Sequence, residues 1–161
     1  MIILGIDPAL STTGWGVVKV NGNAASFVAG GVVKTNAKDS HADRLKTIYN
    51  DMQEIISIYQ PDQVAVEEVY VNDNARTSLK LGQARGISLL VPSLHNIPVF
   101  EYTPTEIKKA IVGTGRAKKE QVQHMVKTLL PTAGFVTLDT SDALGVALCH
   151  FHIYSFKQKV S

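Results

Sequence analysis

Cysteine is almost absent from this chain: one residue, Cys149, in 161. An internal disulfide is therefore impossible, and so is a cysteine-built zinc centre. Long hydrophobic runs are missing too. No apolar stretch reaches the roughly 18 residues that a membrane span needs. The longest weakly polar stretch, Ala143 to Phe156, is broken by His150 and His152. The opening MIILGIDP has no basic region before its apolar run and reaches Asp7 at once, so no secretory signal is expected. A reducing cytoplasm is the expected compartment, with no membrane partner. Charge of one sign is scarce as well, at a net +2.

What is present is globular. Hydrophobic residues make up 45% and charged residues 19%, at a length suited to one domain. The charge is unevenly spread. Residues 1–75 carry a balance of −4, and residues 76–127 a balance of +6. A basic middle of this kind suits a polyanion, or simply a solvated pair of helices.

The periodicity gives an order of elements. Ile2 to Ile6, Thr13 to Val20 and Ala25 to Lys34 read as strands, with Asn21-Gly22 as a hairpin turn between the last two. Leu45, Ile48, Met52, Ile55, Ile56 and Tyr59 recur at helical spacing, capped by Asp39 or Ser40 and ended by Pro61. A strand from Gln63 to Tyr70, a helix from Asn74 to about Val91 and a strand from Pro98 to Tyr102 follow. Helices over Glu106 to Val112, Lys119 to Leu130 and Asp139 to about Phe156 complete the chain. A meander followed by alternating strands and helices predicts an α/β fold: a mixed five-stranded sheet with helices on both faces. Residues 1–156 are expected to form one domain, with 157–161 a short tail. Sites on such sheets lie beyond the carboxyl ends of the strands.

The chemistry on offer is acidic. Asp7 closes an apolar strand, Glu67 and Glu68 interrupt another, and Asp139 and Asp142 open the last helix. Carboxylates beside a core must be paired, hydrogen-bonded or metal-bound. Asp139 and Asp142 also suit a plain N-cap and N3 pair. At i and i+3 they share one face, where they repel unless a cation intervenes. Glu67 and Glu68 point to opposite faces, and alternation alone leaves open which one faces the site. No HExxH pair, GxSxG elbow or complete GxxxxGK[ST] loop competes. Gly113-Thr114-Gly115 reads as a turn with basic neighbours. An all-oxygen cluster suits Mg²⁺ or Mn²⁺. Beside a basic surface it points to a nuclease, commonly with two ions about 4 Å apart.

Six segments then identify a resemblance: ILGIDP at 3–8, VAVEEVYV at 64–71, SLKLGQARG at 78–86, PVFEY at 98–102, QVQHMVKTLL at 121–130 and DTSDALGVALCH at 139–150. In this order and spacing the chain resembles the RuvC family of bacterial Holliday-junction resolvases, within the ribonuclease H-like superfamily. The resemblance implies a homodimer that cuts four-way DNA junctions with two symmetric, metal-assisted nicks, leaving 5′-phosphate and 3′-hydroxyl ends. It implies Mg²⁺, with Mn²⁺ as a substitute, as two ions per site. It also implies work beside a branch-migration helicase.

By motif, the resemblance assigns Asp7, Glu67, Asp139 and Asp142 as catalytic metal ligands, choosing Glu67 over Glu68. It assigns Tyr70 to stacking near the crossover, and Lys108 and Lys119 to DNA contact, with Lys119 also supporting catalysis. Arg76, Lys80 and Arg85 are further candidates for phosphate contacts. The helix from Asn74 to Val91 is expected at the dimer interface. One departure stands out: Ala9 follows Asp7-Pro8 where the family commonly has glycine.

Three other readings compete. A ribonuclease H-like enzyme acting on RNA would share the fold. An actin-like ATPase also opens on a GID-type strand, but needs two such domains. A non-catalytic DNA-binding module would not need all four carboxylates.

Overall fold

The computed structural model describes every residue except Tyr70, Asn72 and Phe135. Five strands form one mixed sheet in the order β3-β2-β1-β4-β5. They are β1 (Ile2–Asp7), β2 (Thr12–Asn21), β3 (Ala24–Lys34), β4 (Gln63–Glu67) and β5 (Val99–Tyr102). The first three form the expected antiparallel meander, while β4 and β5 run parallel to β1. β1 is therefore central and paired on both edges.

Alternation sorts the side chains into two cores. Leu4, Ile6, Val64 and Val66 face one side, where α1 (His41–Tyr59) and α2 (Ala75–Leu94) cover them. Ile3 and Ala65 face the other, covered by α3 (Pro104–Val112), α4 (Lys119–Leu129) and α5 (Leu138–Val160). α5 is the axis of that second layer. Its residues from Ala143 to Phe151 are all buried. Among the described residues no helix is long and apolar enough to cross a membrane.

Two glycines decide how closely α5 can lie. A Cβ at Gly5 on β1 would sit 2.1 Å from the Ala143 carbonyl oxygen, and one at Gly14 on β2 would sit 2.0 Å from that of Asp139. Both clashes are with backbone, so neither can yield by a rotamer change. The start of α5 is thus seated directly on the sheet.

The boundaries depart from the sequence expectation in instructive places. β4 ends at Glu67, not Tyr70, although the Glu68 amide still donates to the Tyr102 carbonyl at 2.8 Å. α2 runs three residues past Val91, because Pro92 falls in its last turn, where the His95 and Ile97 amides take up the Pro92 carbonyl. α3 begins at Pro104 rather than Glu106. Thr103 and Glu106 form a capping box around a proline at the first helical position. α5 is capped by Thr137, whose hydroxyl accepts from the Thr140 amide at 3.2 Å. Asp139 is therefore not the N-cap, and neither acidic side chain is used in capping. The helix also continues through Val160, past the expected end at Phe156.

Candidate carboxylate active site

Asp7 and Glu67 close neighbouring parallel strands. Gly5 pairs with Ala65 and Ile6 with Val66, so the register brings the two carboxylates side by side. Both follow the alternation of Ile3 and Ala65, toward α5. Geometry thus settles the choice that alternation left open: Glu67 faces α5, and Glu68 falls beyond the strand end.

α5 supplies Asp142 from its second turn, and α4 supplies Lys119 from its first residue. Lys119 Nζ stands 3.2 Å from Asp142 Oδ2. Asp7, Glu67, Asp142 and Lys119 line one cleft of about 300 Å³ together with Lys108, Pro104, Ile107 and Val122. The three apolar residues were not singled out from the sequence. The Thr103-Pro104-x-Glu106 capping signal could have placed the start of α3 at this wall.

Asp139 is half-buried and lies outside the cleft lining, one helical turn before Asp142. It still acts there by charge, raising the proton affinity of both Asp7 and Asp142.

Electrostatics show what this arrangement costs. Burial, followed by the charge of Asp7, pushes the Glu67 carboxyl up to about 8. Burial pushes Asp7 up to about 6, despite the hydrogen bond that Glu67 gives it. A neutral Glu67 thus donates to Asp7. Burial also raises Asp142, while Lys119 opposes the rise. The charge of Asp142 in turn raises Lys119. Carboxylates crowded this way favour sharing protons over ionising together.

A hard divalent cation fits the donor set. Every acidic group in the cleft offers oxygen, and the excess negative charge is what such an ion would neutralise. Among the described residues no three of these groups yet converge on one point. Glu67 leans on Asp7 and Asp142 on Lys119, so the side chains are engaged with one another.

The loop after Asp7 is firmly held. The buried Thr13 hydroxyl accepts from the Ala9 amide at 3.1 Å and donates to the Ala9 carbonyl at 2.6 Å. Among the described non-glycine residues, only Gln60 and Asn96 have positive φ. Ala9 is therefore unstrained, and no glycine is required there.

The basic candidates separate. Lys108 and Lys119 reach the cleft. Arg76 is exposed and Lys80 half-buried, both on α2 and outside the cleft. Arg85 turns inward. Its guanidinium pairs with Glu101, and its Nε donates to the Glu67 carbonyl at 3.4 Å. Arg85, expected among the candidate phosphate contacts, is engaged within the fold, where it braces the strand end that carries Glu67. Tyr70, expected to stack near the crossover, lies outside the described residues.

A carboxylate cleft flanked by lysines, at the carboxyl ends of the adjoining strands β1 and β4 of a ribonuclease H-like sheet, has the chemistry of a phosphodiester-cleaving nuclease. The family model "Crossover junction endodeoxyribonuclease RuvC" matches residues 3–150. A relative of that name from Paramagnetospirillum magneticum is 48% identical over 161 residues, covering 100% of this chain and 97% of its own. The solved Thermus thermophilus RuvC is 32% identical, with a TM-score of 0.89 over 98% of this chain and 97% of that one. The same protein in complex with a Holliday junction substrate gives a TM-score of 0.88 at 32% identity, over 98% and 96% of the two chains. The chain belongs to the RuvC family of crossover junction endodeoxyribonucleases, which are divalent-metal-dependent hydrolases.

Proposed function

We propose that this chain resolves four-way DNA junctions by paired symmetric nicks made at the Asp7–Glu67–Asp142 cleft. The observation that carries the assignment of the site is the half-buried Asp7–Glu67 pair, hydrogen-bonded to each other and facing Asp142 in a cleft with two lysines. Asp7, Glu67 and Asp142 would hold Mg²⁺ or Mn²⁺, as two ions per site, with Asp139 adding charge from the same helix. The chemistry such ions would supply when held there is activation of water for attack on phosphorus and stabilisation of the leaving oxygen.

The chain's own groups do the rest. Pro104, Ile107 and Val122 wall the cleft and limit water, which strengthens every charge interaction inside it. Lys119 is held near the reacting phosphate by Asp142, where it offsets the negative charge that grows in the transition state. Lys108 grips phosphate and sets register without reading bases. Arg76 and Lys80 extend that basic surface along α2.

A twofold substrate calls for a twofold enzyme. α2 offers the face for a second copy. Leu79, Leu90 and Leu94 are exposed, and nothing lies within 4 Å of where a Cβ would stand at Gly82 or Gly86. Two such helices could approach closely. Leu79→Glu combined with Gly86→Glu is expected to leave a folded monomer that has lost paired cutting. Light scattering gives the mass, and a dimer persisting in the double variant would move the interface elsewhere.

The direct test is nicking of a synthetic, migratable four-way junction in Mg²⁺, Mn²⁺ or EDTA, beside a linear duplex of equal sequence. Paired nicks on the junction alone, lost in EDTA, are expected. Preferential cutting of linear DNA or of RNA would place the chain's activity elsewhere in the fold superfamily. Lys108→Ala should weaken junction binding and lower the salt slope by about 0.9 for each phosphate no longer neutralised. An unchanged slope would remove Lys108 from the groups that touch phosphate.

A further inference from the structure

We infer that His150 is a positioning residue: held by Gln63 on β4 and Tyr102 on β5, it fixes the lengthwise register of α5 against the sheet, and so the offset of Asp142 from Glu67. The inference rests on the reading of the carboxylate cleft given above.

His150 is fully buried, an unusual state for an imidazole. Both ring nitrogens are engaged. Nε2 lies 2.6 Å from the Gln63 side-chain oxygen, and Nδ1 lies 2.7 Å from the Tyr102 hydroxyl. A carbonyl oxygen only accepts, so Nε2 carries the hydrogen. Nδ1 must then accept, and the Tyr102 hydroxyl donates to it. With the Gln63 oxygen facing the ring, donation runs from Tyr102 through His150 to Gln63. Burial keeps the ring neutral by holding its pKa down to about 4, and it keeps the phenol protonated by pushing Tyr102 up to about 12. Phe100 packs against the ring with centroids 4.4 Å apart. The ring can neither turn nor charge without loss.

The spacing gives the trio its reach. Glu67 is four residues beyond Gln63 on β4, roughly 13 Å at strand rise. His150 is eight residues beyond Asp142 on α5, roughly 12 Å at helix rise. The helix runs back along the strand, so the Gln63–His150 bond at one end matches the Glu67–Asp142 juxtaposition at the other. Tyr102 closes the frame. Its phenol meets His150, while its backbone pairs with Glu67 and accepts the Glu68 amide. Elsewhere α5 meets the sheet through apolar side chains and the glycines of β1 and β2, with one further polar tie near its start, the Thr140 hydroxyl donating to the Gly31 carbonyl on β3 at 3.0 Å. The apolar packing is non-directional and tolerates a small slide. The His150 trio is directional and does not.

A purely structural role would affect stability and nothing else, so the test reads metal affinity and rate separately from folding. His150→Phe keeps ring volume and loses both bonds; Tyr102→Phe loses one. His150→Gln can rebuild both, donating to Gln63 and accepting from Tyr102. Each variant is measured as the full chain for melting temperature, Mn²⁺ binding by calorimetry, junction affinity in EDTA and single-turnover nicking. At a temperature where all are folded, His150→Phe is expected to weaken Mn²⁺ binding and slow nicking by about tenfold or more, with junction affinity within about twofold. Tyr102→Phe should lie between it and wild type, and His150→Gln should recover most of the loss.

Wild-type Mn²⁺ affinity and nicking in a folded but less stable His150→Phe would overturn the inference. If that variant does not fold, Tyr102→Phe decides alone, and unchanged metal affinity there would overturn the inference equally. Failure of the wild-type chain itself to bind Mn²⁺ would count instead against the cleft assignment, so the two failures are distinguishable.

Discussion

Asp7→Asn is expected to slow single-turnover junction nicking by at least about a thousandfold while leaving junction affinity intact. The side chain sits on the central strand, hydrogen-bonded by Glu67 and within the charge field of Asp142 and Asp139. Asparagine has the same shape but cannot supply a full negative charge to a divalent ion. Losing several kcal/mol of transition-state stabilisation corresponds to roughly three decades of rate. Binding responds differently. No basic group is removed, and one negative charge near the phosphates disappears, so affinity in EDTA should hold or rise slightly. Nicking within about tenfold of wild type would remove Asp7 from the reaction. An equal loss of binding would mean that the substitution disturbed the cleft's shape and not its metal.

Glu67→Gln is expected to stabilise the metal-free protein at pH 8 while abolishing cleavage. Glu67 is raised to about 8 and Asp7 to about 6. Carboxyls raised in the folded state favour folding at low pH. That contribution is present below the unfolded values near pH 4, and it is lost as pH climbs through 6 toward 8. Glutamine keeps a donor for Asp7 and removes the ionisation. A gain on the order of 2 kcal/mol at pH 8 is expected, which is about 4–8 °C in melting temperature for a domain of this size. The gain should shrink toward pH 5. Saturating Mg²⁺ should raise the wild-type melting temperature by mass action and raise the variant's much less. A lower melting temperature for Glu67→Gln in EDTA at pH 8 would show that the pair is not under electrostatic strain. The sign is opposite for His150, whose pKa is depressed to about 4. Its contribution is complete above about 6.5 and fades as pH falls toward 4. The acid side of the stability profile thus reports His150 together with His152, which burial also depresses, and the alkaline side reports the carboxylates.

The order of elements, the opening meander and the mixed five-stranded sheet were largely legible because alternation and helical periodicity are local signals; the strand order and which helices cover which face were not. Asp7 and Glu67 stood out because an ionisable group in an apolar strand is costly wherever it sits. Other features were not local. Whether Glu67 or Glu68 faced α5 depended on which neighbour covered each face of β4, and beforehand only the motif resemblance favoured Glu67. Asp139 read equally well as a cap until Thr137 took that position. Arg85 read as a surface cation because Glu101, its partner, is sixteen residues away on β5. The His150 trio joins residues 48 and 87 positions apart, so no spacing rule could have found it.

The seating of α5 on Gly5 and Gly14 has a consequence for how the domain opens. β1 is paired along both edges and covered on both faces, and α5 lies directly against its backbone. Amides of residues 3–6 and 143–149 should therefore exchange with solvent only when the whole domain unfolds. The exposed stretch around Arg76, Leu79 and Gly82 on α2, and the first turn of α4 with Lys119, should exchange through small local openings. Asp7 and Asp142 belong to the slow unit. Lys119 and Arg76 belong to parts that fluctuate on their own. On that expectation the carboxylates proposed to hold the metal open with the slow unit, and the basic groups proposed to meet phosphate lie in elements that open on their own. The grip can adapt to a deformable substrate without disturbing the spacing of the carboxylates.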